Sequence, residues 1–137
     1  STADLTPLTV AQRQPWFQEF SPDHFPLWVI ETTAGIVGYV GLEPYSDRQA
    51  YAQTAEIAIY LSADAQGQHL GTQALNWVES QAPALKVTTI ISRIFGHNKA
   101  SRHLFEKFGY EHWGHLPEIA DMQGFMADLE VYGKHLS

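Results

Sequence analysis

The spacing best suited to chemistry lies at residues 66–72, Gln-Gly-Gln-His-Leu-Gly-Thr. Glycines at 67 and 71 let a backbone come close to a ligand. A helix starting just beyond them would leave its first N–H groups without partners, which is how protein chains hold phosphate. The same spacing also suits an ordinary strand-to-helix turn. Other chemistries fare worse. The seven histidines contain no His-Glu-x-x-His pair. His112 and His115, three apart on an expected strand, should point to opposite faces, and His97 and His103 straddle a helix start, so no metal is expected. No Gly-x-Ser-x-Gly elbow supports a Ser/His/Asp hydrolase. With zero cysteines, disulfides, thiolate nucleophiles and cysteine-ligated zinc are excluded.

The elements that must position the loop follow from periodicity. Residues 55–62, Ala-Glu-Ile-Ala-Ile-Tyr-Leu-Ser, alternate and form a strand leading into it. On that pattern alone Glu56 is an edge glutamate facing solvent. Leu70, Ala74, Leu75 and Val78 recur at helical spacing after the loop, and Pro83 ends that helix near Gln81. Earlier, Thr9 and Gln12 form a capping box for a short helix through Phe20, with Trp16 and Phe17 as anchors. Residues 27–33 and 35–42 form a hairpin, in which Gly38 and Gly41 mark a bulge or a close backbone approach. Residues 43–53 make a loop. The β-branched run 87–95 has the composition of a strand buried on both faces. Ala100, Leu104, Phe105 and Phe108 share one side of a helix closed by Gly109, and residues 110–116 and 127–132 supply closing strands. Strands flanked by a few helices, without strict alternation, give a mixed α/β (α+β) sheet.

A chain of 137 residues makes a single domain, 1–137, with room for a core. Fifteen acidic against eight basic residues, a net charge of -7, argue against nucleic acid or an anionic membrane as partner. No apolar run is long enough to span a bilayer, and the first residues hold no basic region followed by a hydrophobic segment. The expected compartment is the cytoplasm.

Several ordered blocks carry a resemblance. Gln66-x-x-His69-x-Gly71 resembles the pyrophosphate loop of the GCN5-related N-acetyltransferases, Arg/Gln-x-x-Gly-x-Gly/Ala, with His69 standing at the family's first glycine. Residues 48–60, Arg-Gln-Ala-Tyr-Ala-Gln-Thr-Ala-Glu-Ile-Ala-Ile-Tyr, resemble the run into the cofactor strand of the phosphinothricin and methionine sulfoximine acetyltransferase branch. Residues 98–110 resemble the family's Asn-x-x-Ser-x-x-Leu-x-Glu-Lys-x-Gly-Phe segment, and residues 123–128 the branch's closing Asp-Gly-x-x-x-Asp strand. The resemblance implies a mostly antiparallel twisted sheet flanked by helices. Because residues 1–7 already resemble the middle of the family's N-terminal region, the first strand and helix are expected to be missing here.

What the resemblance implies chemically is acetyl transfer from acetyl-CoA to the amine of a small amino acid or analogue, without a metal, by a homodimer. The alternatives are an acetyl-CoA-binding module without catalysis, or an enzyme for protein N-termini or polyamines. Glu56 becomes the general base. The backbone of Ile59, Tyr60 and Leu61 would pair with pantetheine. Gln66, Gly67, Gln68, His69, Leu70, Gly71 and Thr72 would hold the pyrophosphate, while Asn98, Ser101 and Phe105 would contact the arm. Asn98 also has a complete structural role as a helix cap. Phe105, a tyrosine in many relatives, cannot donate a proton. Arg48 is expected to clasp a substrate carboxylate, with Tyr51 and Thr54 beside it.

Overall fold

The structure, a computed structural model, describes residues 4–7, 25–66 and 69–136. The helix expected between Thr9 and Phe20 lies outside the described residues. Seven strands form one sheet: β1 (Asp4–Pro7), β2 (Leu27–Thr32), β3 (Gly35–Pro44), β4 (Thr54–Leu61), β5 (Thr89–Phe95), β6 (Glu111–Asp121) and β7 (Met126–His135). Their order is β1-β2-β3-β4-β5-β7-β6. Every paired neighbour is antiparallel except β4 with β5. The two helices described are α1 (Leu70–Gln81) and α2 (Lys99–Lys107).

Sequence alternation assigns no strand to the first residues, and four residues are too few for a period to register. The free edge of β2 places β1, pairing Asp4 with Glu31 and Pro7 with Trp28. The β2–β3 hairpin turns through Gly35, whose φ of 108° is open to glycine. Gly38 lies so close to β4 that a Cβ there would strike the Tyr60 carbonyl, the close approach expected from its sequence position.

One face of the sheet carries the core. Trp28, Ile30, Val40, Leu42, Ala55, Ile57, Ile90, Ile94 and Tyr132 pack against Leu70, Ala74, Leu75 and Val78 of α1 and Phe105 of α2. Each fully buried aliphatic side chain is worth about 1.5–3 kcal/mol, so this face dominates the stability. Cross-links tie the layers together: Lys134 on β7 reaches Glu79 of α1 at 2.9 Å and the Phe108 carbonyl at 2.7 Å. Tyr132 donates to Glu106 of α2 at 2.8 Å and accepts from Arg102 at 3.1 Å.

β5 departs from its expected burial. Ile90, Ile91 and Ser92 are enclosed, but Arg93 and Phe95 are exposed. The cause is topological. β4 and β5 pair only through Thr54–Thr89, Ala55–Ile90 and Glu56–Ile91. Beyond Glu56 the two strands part, and β5 loses a neighbour on that side.

Candidate active site

The parting of β4 from β5 opens a cleft of about 710 Å³. Glu56 to Leu61 form one wall and Ser92 to Phe95 the other. Gln66 and His69 to Thr72 close one end, with Asn98, Ser101, Leu104 and Phe105 beside them. β4 keeps its full ladder with β3, Leu61 opposite Gly38 through Ala55 opposite Pro44. On its other edge, residues 57–61 have no ladder partner among the described residues. Bare strand edges bind extended polar chains by main-chain hydrogen bonds.

At the end of this edge α1 begins. Its first hydrogen bond runs from the Gln73 N–H to the His69 carbonyl, 3.2 Å, so the amides of Leu70, Gly71 and Thr72 precede the helical ladder. Gln66 reaches back from its side-chain amide to the Leu61 carbonyl at 3.4 Å, joining the loop to the strand. Gly67 and Gln68 lie outside the described residues. His69 is the N-cap and adopts φ 60°, ψ 19°, a left-handed conformation that glycine enters freely and histidine only at a cost. The residue is exposed and lines the cleft. Gly71 serves packing: a Cβ there would lie 3.0 Å from Leu104 Cδ2 of α2.

Asn98 caps α2 as expected, its Oδ1 accepting from the Ser101 N–H at 3.2 Å. Phe105 is buried and meets Tyr110 edge-on at 4.9 Å, while still lining the cleft. Tyr60 points away from the core, 54% exposed, and stacks on Tyr39 at 5.6 Å.

Glu56 is not an unengaged edge carboxylate. Arg93 donates from Nε to its Oε2 and from Nη2 to its Oε1, both at 2.7 Å, leaving the Glu56 side chain 14% exposed. The Glu56 hydrogen bond and charge raise the Arg93 guanidinium further above its ordinary value, against the opposing effect of burial, with Glu43 and Tyr45 contributing. Sequence reasoning passed over Arg93, although a lone charge in a β-branched strand was the available signal.

Arg48, Tyr51 and Thr54 do not line this cleft. Arg48 precedes a short 3-10 turn at Gln49–Tyr51, with its N–H on Ser46 Oγ at 3.2 Å. Tyr51 packs edge-on against Tyr45 at 5.4 Å. Thr54 begins β4 opposite Thr89.

A second polar cluster corrects an expectation. Alternation alone sends His112 and His115 to opposite faces, but a register shift between His112 and Gly114 puts both on Glu130. His112 Nε2 lies 2.6 Å from Glu130 Oε1, and His115 Nδ1 lies 2.8 Å from Oε2. Burial opposes the Glu130 charge, but the bonds from the two imidazoles outweigh it and hold the carboxyl below its ordinary value. His115, Asp128 and Glu130 bring ligand-type atoms within 4.8 Å of one another. The imidazole turns Nδ1 to Glu130 and Nε2 to Asp128, 3.5 Å away, so it bridges two carboxylates rather than sharing one centre with both.

Comparison with known proteins agrees with this architecture. Residues 3–110 match the family model described as Acetyltransferase (GNAT) family. The Bacillus subtilis (strain 168) protein YwnH is 38% identical over 137 residues, covering 99% of this chain and 83% of that one. The L-methionine sulfoximine/L-methionine sulfone acetyltransferase of Pseudomonas aeruginosa is 29% identical over 125 residues, 90% of this chain and 73% of that one. A phosphinothricin acetyltransferase from Sinorhizobium meliloti, solved with acetyl-CoA, superposes with a TM-score of 0.84 at 24% identity, covering 95% of this chain and 71% of that one. The chain belongs to the acetyltransferase (GNAT) family and is an N-acetyltransferase.

Proposed function

We propose that the chain transfers the acetyl group of acetyl-CoA to the primary amine of a small amino acid or amino-acid analogue, of the phosphinothricin or methionine sulfoximine type. The observation that carries this reading is the bare edge of β4 running from Glu56 to the open N-terminus of α1. A long ligand with a peptide-like arm and a diphosphate fits that pairing of features. When bound, it supplies an activated acyl carbon.

The chain's own residues do the rest. The backbone of Ile59, Tyr60 and Leu61 aligns the arm. The Leu70, Gly71 and Thr72 amides, with Gln66, Gly67, Gln68 and His69, hold the diphosphate. Asn98, Ser101 and Phe105 shape the opposite wall. Glu56 takes a proton from the acceptor ammonium through a water, because an amine is nucleophilic only once deprotonated. Its bond to Arg93 fixes the carboxylate plane, and a carboxylate that accepts two bonds keeps lone pairs for a third donor. Phe105 cannot protonate the departing thiolate, so solvent or the acceptor's released proton serves. The chain works in the cytoplasm as a homodimer; the exposed β6 edge supports the pairing.

The test mixes the chain with acetyl-CoA and a panel of amines, methionine sulfoximine among them, and follows free thiol. Turnover is expected on the amino-acid acceptors. Glu56→Gln should lower kcat about 10²- to 10⁴-fold while acetyl-CoA still raises the melting temperature. An unchanged rate removes Glu56 from the base role. Thermal stabilisation by acetyl-CoA without turnover on any amine would leave a binding module in place of an enzyme.

A further inference from the structure

An arginine guanidinium has two edges that can each grip a carboxylate with a pair of parallel N–H donors. Arg93 spends its side edge, Nε and Nη2, on Glu56. Its end edge, Nη1 with the second hydrogen of Nη2, meets no acceptor among the described residues, and the side chain is 53% exposed beside the cleft. Glu43 faces Glu56 across the β3–β4 ladder and bears electrostatically on Arg93. Two carboxylates therefore bear on one guanidinium at the cleft wall, and its second pair of donors is left without an acceptor among the described residues.

Resting on the acetyltransferase reading, we propose that Arg93 is the residue that selects acceptors carrying a carboxylate next to the reactive amine. The free edge of Arg93 grips the α-carboxylate while Glu56, held by the other edge, faces the ammonium. In an α-amino acid one carbon separates the two charged groups, so an ammonium placed at Glu56 brings its own carboxylate toward the neighbouring guanidinium. Arg48, on the turn before β4, is outside the cleft lining. Polyamines and protein N-termini, whose neighbouring carboxyl is absent or an amide, lack the second point.

The experiment compares each amino-acid acceptor with its own carboxamide, as the ratio of kcat/KM on the acid to that on the amide. Arg93 also steadies Glu56, so Arg93→Gln is expected to slow both substrates; the ratio isolates recognition of the carboxylate. The native chain should favour the acid, and Arg93→Gln should collapse the ratio about 10- to 100-fold. Arg93→Lys keeps the charge but not the fork and should fall between. A ratio near one in the native chain, a ratio preserved in Arg93→Gln, or a collapse seen in Arg48→Gln instead would overturn the inference while leaving the acetyltransferase reading standing. No turnover on any amine, acid or amide, would bring down both.

Discussion

At the scale of single residues, His69 is the most informative departure from the family pattern. Its left-handed backbone gives the physical reason for the family's glycine: the turn into α1 demands a positive φ. Histidine pays steric strain there, and glycine would relieve it, partly offset by the greater freedom of the unfolded chain. His69→Gly is therefore expected to stabilise the fold by about 0.5–1 kcal/mol and to tighten acetyl-CoA binding, read as a larger melting shift on adding it. A lower melting temperature in the variant would mean that the imidazole contributes something beyond its backbone geometry. What sequence made legible at this scale was local. Asn98 was recognisable as a cap because capping needs only the next few residues. Arg93 was not recognisable as the partner of Glu56, because their meeting depends on a parallel pairing of strands 37 positions apart in sequence.

At the scale of elements, strands and helices were read to within a few residues wherever periodicity was strong, as in α1 and β4. The β6–β7 hairpin was underestimated in length, and the orientation of its histidines was inverted, because a register shift resets the alternation that a sequence pattern assumes. The Glu130 knot built by that shift has a definite pH signature. A carboxyl held below its unfolded value contributes stability that is present above the ordinary glutamate value of 4.5 and is lost as pH falls through the lowered folded value. Native protein should lose melting temperature on acidification below that point, and Glu130→Gln should lose less of it. At neutral pH the same variant should cost about 1–2 kcal/mol, the loss of charge-assisted bonds from two imidazoles. Equal acid sensitivity in the two proteins would show that other carboxylates set the limit.

At the scale of the whole molecule, β6 closes one side of the sheet with eleven residues that are almost all exposed, including Trp113, Leu116 and Ile119. Long exposed edge strands with apolar side chains invite pairing with another chain. Light scattering behind size exclusion is expected to give twice the 15.4 kDa chain mass, and Leu116→Lys with Ile119→Lys should shift it toward one. A native mass of 15.4 kDa at micromolar concentration would count against the dimer. The family fold was legible because its blocks are spread along the chain; β1 was not, since its partner strand rather than its own composition fixes it.

The fork between β4 and β5 also bears on how the protein relates to its co-substrate. Three residue pairs join the two halves of the sheet, and past them a whole strand's worth of backbone lies ungripped on one flank. A thioester arm laid along that flank would act as a borrowed strand, a non-peptide piece of sheet supplied afresh in each catalytic cycle. Loading the substrate and finishing the architecture then become the same event.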